Sequence, residues 1–262
     1  MNAQPASVSS QSKEFDNVKR LPILISMIIG AFFTILNETL LNVAFPQLMK
    51  ELNVTPSTIQ WLSTGYMLVV GVLIPASALL IQWFTTRQIF ITAMVIFTLG
   101  TPLTAIAPRF SILLIGRMVQ AAGTGLMTPL LMNTILIIYP PEKRGAAMGI
   151  IGLVMMSAPA IGPTLSGIIV ESFNWRWLFY IVLPLAIISI MIAMKYIKNV
   201  SETTKPKVDV LSILLSTIGF GGIVYRFSTS GDLGWDNTKV YGIILIVGLI
   251  ALSIFHSTTI KN

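Results

Sequence analysis

The sequence contains no cysteine and a single histidine, and it carries little charge. Without cysteine there are no disulfides, no thiolate metal sites and no cysteine nucleophile. One histidine, His256 near the C-terminus, leaves no His pair for a metal and no catalytic triad. It reads as an interfacial polar residue at a helix end. A membrane enzyme would need a Ser–Lys or paired-acid site instead, and no such pair shares a depth in the spans set out below. The sequence therefore points to neither an enzyme nor a metal protein. Asp, Glu, Lys and Arg together make up only 10% of the residues, against about 25% in a soluble domain. A surface so poor in charge could not be kept in water.

What is present is apolar. Hydrophobic residues are 54% of the 262, and mean hydropathy is +0.82. At roughly 20 apolar residues per span, a chain of this length holds about eight transmembrane helices. The expected fold is an all-α integral membrane protein whose first partner is the lipid bilayer. A net charge of +7 comes from 17 Lys and Arg against 10 Asp and Glu. These basic residues are dispersed between apolar runs and form no basic face, so no nucleic acid partner is expected.

Residues 1–20 form a polar N-terminal tail of mixed charge, unlike the short basic start of a signal peptide. Apolar segments follow at about 21–45, 57–80, 88–107, 110–133, 145–170, 176–197, 208–228 and 239–260. Short connections would make successive helices antiparallel neighbours. The one real linker, 198–208, separates a six-helix block (21–197) from two additional spans and a short tail (209–262). Six helices match a common transporter unit, itself a 3+3 inverted repeat. With the N-terminus inside, eleven Lys and Arg fall on the cytoplasmic side and five outside, with Arg117 left in the membrane. Lys and Arg favour cytoplasmic loops, so the N-terminal tail and the linker are expected to be cytoplasmic.

Three helices carry polar groups that lipid disfavours. In the first, Thr34, Glu38 and Asn42 are spaced i, i+4, i+8 and form one stripe. Glu38 lies eight residues before Pro46, about 12 Å from that end of the helix. An acid held away from water is a natural proton carrier, although a neighbouring helix could simply satisfy it. In the fourth, Arg117, Gln120 and Thr124 share a face, with Arg117 about 10 Å below the start of the helix. Glu38 is the one acid at comparable depth in the six-helix block. The two are expected to face a common cavity, where a proton on Glu38 would loosen its hold on Arg117. The same residues also fit a purely structural clasp. In the fifth, Ala158, Gly162 and Ser166 make a small-residue stripe suited to close packing, and Pro159 and Pro163 invite a bend.

These residues resemble the major facilitator superfamily, specifically its fourteen-helix drug:proton antiporters of the EmrB/QacA type. The text LNETLLNVAFP at Leu36–Pro46 looks like that branch's first-helix motif. Arg117, Gln120, Gly123 and Gly125 match its R-x-x-Q-x-x-G-x-G motif. Gly162, Pro163 and Gly167 match its antiporter motif, with Ser166 in place of a usual glycine. Asn174 to Phe179, then Pro184, resembles the aromatic opening of the sixth helix. Asp209–Ser228 with Gly234-Trp235 looks like the extra helix pair of the fourteen-helix branch. Lincomycin-resistance-type exporters look most similar.

The resemblance implies a multi-pass plasma-membrane exporter of amphipathic drugs, driven by the proton gradient and needing no cofactor. Glu38 and Arg117 would couple protons, and Asn37, Asn42, Gln120 and Thr124 would line the polar wall. Three departures stand out. Asn37 replaces an Asp found in many relatives. The loop after the second helix carries Gln82, Trp83 and Arg87 where a G-x-x-x-D-R-x-G-R charge relay usually stands, so the cytoplasmic gate retains one charge. Arg226 occupies a position that is usually small or apolar. The family should also continue for six more helices. The sequence is therefore expected to be the N-terminal portion of an exporter, from a truncated or split frame. It would complete its cavity with the missing C-terminal half or a second copy, or persist as a membrane fragment without transport.

Overall fold

The computed structural model describes residues 20–197 and Asn199. The N-terminal tail before residue 20, nearly all of the linker, both additional spans and Arg226 lie outside the described residues.

Seven helices are present among them: α1 (Arg20–Val43), α2 (Phe45–Leu52), α3 (Pro56–Trp83), α4 (Thr86–Ala105), α5 (Phe110–Ile138), α6 (Pro141–Ser172) and α7 (Arg176–Tyr196). All but α2 are long and apolar enough to cross a membrane. Their ends follow from local chemistry. Thr55 caps α3 by accepting from the Thr58 amide, and Pro56 sits at the first position, where its missing N–H is no loss. Thr85 and Gln88 form a reciprocal capping box at the start of α4. The turn at Tyr139 and Pro140 stops α5 and starts α6 at Pro141, several residues on either side of the expected boundary. Arg144 then donates to the Tyr139 and Leu136 carbonyls, occupying acceptors that the end of α5 leaves unpaired.

Two features depart from the sequence reading. The first span stops at Val43, and Phe45–Leu52 forms a separate short helix with Pro46 in its first turn. Eight residues on an amphipathic surface give too little hydropathy to register as an element. Asn53 ends this helix with a left-handed backbone (φ 51°), a conformation that Asn tolerates.

The second departure concerns adjacency. Successive spans are joined by short connections, but most are not packing partners. Of the five successive pairs of spans, only α4 and α5 pack extensively. The packing is crossed between the two halves of the bundle. Helix α1 packs on α6 and α7, and α5 packs on α3 and α4. The first helix of each three-helix half thus lies against the second and third helices of the other half, as a 3+3 repeat requires. Helices α4 and α7, the third of each half, also pack together.

Close approach decides these pairings, in line with small-residue packing in membranes. A Cβ built on Gly123 of α5 would run into the Ala93 carbonyl oxygen of α4. One built on Gly162 of α6 would strike the Thr39 hydroxyl of α1. The core between helices is apolar and includes Phe90, Phe97, Leu130 and Trp175. Helices α3 and α6 contribute little to it. Each leaves most of its length uncovered, with Met67, Ile74, Leu153 and Met156 exposed.

Candidate functional site

The polar residues of α1 and α5 meet in the upper half of the bundle, toward the end that carries α2. Arg117 is among the largest fully buried side chains, 1% exposed. One guanidinium nitrogen donates to Gln120 Oε1 at 3.1 Å and to the backbone carbonyl of Asn37 at 3.5 Å. The guanidinium carbon stands 4.3 Å from the centre of the Tyr66 ring of α3. Gln120 Nε2 donates to Thr101 Oγ1 at 3.0 Å, and Thr101 donates to the Phe97 carbonyl. Thr124 donates to the Gln120 carbonyl, which leaves its oxygen to accept from the Tyr66 hydroxyl at 2.6 Å. One buried network therefore ties α1, α3, α4 and α5 around the guanidinium.

Glu38 is half-buried on the turn of α1 whose Asn37 carbonyl Arg117 reaches. No ion pair closes between Glu38 and Arg117: among the described residues the one ion pair joins Arg176 to Glu51. Asn37 and Gln120, expected on a cavity wall, are 1% and 0% exposed and lie between helices. Thr124 is likewise buried. Asn42 is exposed and accepts from Ser63 of α3 at 2.9 Å, so of the four proposed wall residues it alone lies on an open face. Both side-chain amide atoms of Asn37 and the Nε of Arg117 have no hydrogen-bond partner.

The small-residue stripe of α6 lies against α1. Ser166 donates to the Leu40 carbonyl at 2.5 Å, and Gly162 faces Thr39. Within the same motif Pro163 is exposed, and Gly167 has open space at its Cβ position. At the opposite end of the bundle, Gln82 donates back to the Ala78 carbonyl of its own helix. Arg87 crosses to the last turn of α7 and donates to the Met194 carbonyl at 2.8 Å, where a cation also meets the negative end of the helix. The single charge left in this loop is thus tied to a helix end within the bundle.

Sequence reasoning missed Tyr66 and Thr101, which look like ordinary apolar or weakly polar residues of a span. A tyrosine inside a membrane helix does carry a signal, because its hydroxyl must find a partner when buried. It also missed a second cluster at the α2 end. Trp175, fully buried, donates its indole N–H to Glu51, and Arg176 pairs with the other oxygen of that carboxylate while stacking on the Trp175 ring at 4.3 Å. Arg176 also donates to the Ala107 carbonyl just past α4.

Desolvation pushes the Glu51 carboxyl up, but the hydrogen bonds from Arg176 and Trp175 and the Arg176 charge outweigh it and hold the group below the usual range. A depressed carboxyl contributes stability above its ordinary value near pH 4.5, and loses it as pH falls through the lower folded value. Thermal unfolding of the wild type should therefore weaken below about pH 4.5 relative to Glu51→Gln, which lacks the titrating group. At neutral pH the variant should be less stable by no more than about 1 kcal/mol, since the pair is partly exposed.

The described residues thus form a six-span bundle of two crossed three-helix halves, with a buried guanidinium beside a membrane acid. Residues 27–260 match the family described as the Major Facilitator Superfamily, and the chain belongs to that family. It is 54% identical over 250 residues to the lincomycin resistance protein LmrB of Bacillus subtilis (strain 168), covering 95% of this chain and 52% of that protein. It is 50% identical to LmrB of Listeria monocytogenes, covering 91% and 50%. The probable multidrug resistance protein EmrY of Escherichia coli (strain K12) is 27% identical, covering 90% and 47%. The chain thus spans about half the length of the curated relatives it matches. Among solved structures it resembles the peptide transporter POT in complex with sulfate (TM-score 0.69, 15% identity, 94% of this chain and 55% of that one). The human organic anion transporter MFSD10 is similar in the same way (TM-score 0.62, 13% identity, 88% and 70%). At these identities the likeness concerns the fold.

Proposed function

We propose that the chain forms the N-terminal bundle of a proton-coupled exporter of amphipathic drugs, with Glu38 carrying the proton and Arg117 responding to it. The observation that carries this reading is a fully buried guanidinium with no ion pair among the described residues, set against the helix turn that bears the membrane's acid. A buried charge left this way is costly and is retained where it is used. The proton gradient supplies the driving force, and no cofactor enters. The N-terminus, Arg87 and Arg144 lie on the cytoplasmic side of the plasma membrane, following the distribution of Lys and Arg. Asn42, on the open face, serves the substrate side, Gln120 and Thr124 hold the network behind it, and the Gly162–Ser166 packing holds α6 against α1.

Alternating access needs two bundles rocking about a shared site. The second bundle comes from a C-terminal half or a second copy, and the uncovered faces of α3 and α6 are where such a partner would lie. The same uncovered faces favour one rival reading, a membrane fragment that does not transport.

The test is drug accumulation in cells expressing this chain, alone and together with the C-terminal half of a full-length relative. The expected result is protonophore-sensitive efflux in at least one arrangement. Glu38→Gln should reduce it by roughly 100-fold, the lower end of the factor of about 10²–10⁴ that one essential proton-transfer group supplies. Absence of efflux in both arrangements at normal membrane abundance would favour the fragment.

A further inference from the structure

Arg117 is poorly served by conventional partners. Its fully buried guanidinium has one good hydrogen bond, to a neutral amide oxygen, and one long contact to a backbone carbonyl. Its Nε has no partner, and among the described residues no carboxylate comes within ion-pair distance. What it does have is an aromatic face. The Tyr66 ring lies 4.3 Å from the guanidinium carbon and is itself fully buried, so water screens nothing between them. A guanidinium over a ring within about 6 Å is attracted by the ring quadrupole, most strongly when both are desolvated.

The ring is also held in place. Its hydroxyl donates to Thr124, and Thr124 donates to the Gln120 carbonyl one turn back along α5. Arg117, Gln120 and Thr124 sit on one face of α5, and Tyr66 bridges the first and last of them from α3.

We propose that Tyr66 is a positioning residue for Arg117: its ring face stands in for a counter-ion and keeps the guanidinium seated at the Asn37 turn while Glu38 carries a proton. The charged groups that act on this site are Glu38 from α1 and Arg117 from α5, with Tyr66 itself the one titratable group of α3 in the network. In an antiporter, Arg117 has to survive the half of the cycle in which its acid is neutral. A permanent π partner meets that need, because it offers no competing negative charge when Glu38 is ionised again. The use made of the stack rests on the antiport reading above, whereas the stack itself stands on geometry.

The experiment replaces Tyr66 in the full chain by phenylalanine and by mono-, di- and trifluorophenylalanine. These keep the shape of the ring and progressively erase the charge on its face. The series is made with Arg117 intact and again with Arg117→Met. With Arg117 present, the melting temperature in detergent should fall stepwise, by about 4 °C from Phe to the trifluorinated ring, using roughly 2–4 °C per kcal/mol for a protein of this size. With Arg117→Met the series should be flat, which a merely space-filling ring would not distinguish. Proton-driven efflux, where present, should fall about tenfold along the first series. A flat first series, or equal slopes in both, overturns the proposal whether or not the chain exports drug. A sloped first series and a flat second one, where the chain exports no drug either alone or with a C-terminal half, supports the stack and overturns the antiport reading instead.

Discussion

Gly123→Val should abolish the folded bundle or lower its stability by about 3 kcal/mol or more, the upper end of what overpacking costs. The reason is the identity of the atoms that a side chain would meet. At Gly123 they are the Ala93 carbonyl oxygen and the Phe97 backbone nitrogen and Cβ of α4, the last two at 2.9 and 2.8 Å. Flexible side-chain ends can move aside, but a helix backbone moves only by separating α4 from α5. That pair is the most extensive interface in the bundle, and it holds the Gln120–Thr101 bond. Gly149→Val is the matched control, since nothing lies within 4 Å of its Cβ position. In the purified chain it should leave the melting temperature unchanged within about 2 °C, the shift expected of a surface change of at most 0.5 kcal/mol. Melting of both variants in one detergent checks the contrast. Equal effects at the two positions would mean that helix propensity rather than packing governs them.

Arg117→Met should give the second large result, and it should separate stability from activity. Removing one partner of a well-made buried ion pair strands the other charge and costs several kcal/mol. Here no ion pair exists to strand among the described residues. The deletion removes an under-satisfied charge, and methionine of similar length fills the space beneath Tyr66. The unpaired Nε disappears with it. The variant is therefore expected to melt within about 1 kcal/mol of the wild type or above it, as when buried ionic groups give way to apolar ones of similar volume. If the functional reading holds, the same protein loses proton-driven efflux by 100-fold or more, because nothing is left to respond to Glu38. Melting and efflux measured on one preparation decide this. A large fall in stability would instead mark Arg117 as a structural clasp.

Much of this architecture is legible in the amino-acid order. Six spans announce themselves because a bilayer demands about 20 apolar residues at a stretch, and the helices found differ from those expected mainly at their ends. The Arg117, Gln120 and Thr124 spacing places one polar face on α5 before any coordinates are known. Adjacency is not legible in the same way. A short loop fixes the direction of the next helix but not its neighbours, and Leu40 of α1 finds its partner Ser166 only 126 residues later. The partners of Arg117 are hidden for a different reason. A matching acid is the obvious expectation from sequence, whereas the ring of Tyr66 looks like any other apolar residue in a span. The Glu51, Trp175 and Arg176 cluster joins residues about 125 positions apart and involves a short helix with no hydropathy signal, so no local pattern could have exposed it.

The crossed packing of the two three-helix halves has a consequence for biosynthesis. When the first span leaves the translocon, the helices that will cover it have not been made. Leu40 waits for Ser166, 126 residues later, which at about 5–20 residues per second is roughly 6 to 25 s of ribosome time. Through that interval Thr34, Asn37 and Glu38 must be sheltered by the insertion machinery or by early-emerging neighbours. A nascent chain stalled after α4 would hold every span of the first half without the helices that cover α1, and would be an open target for membrane quality control.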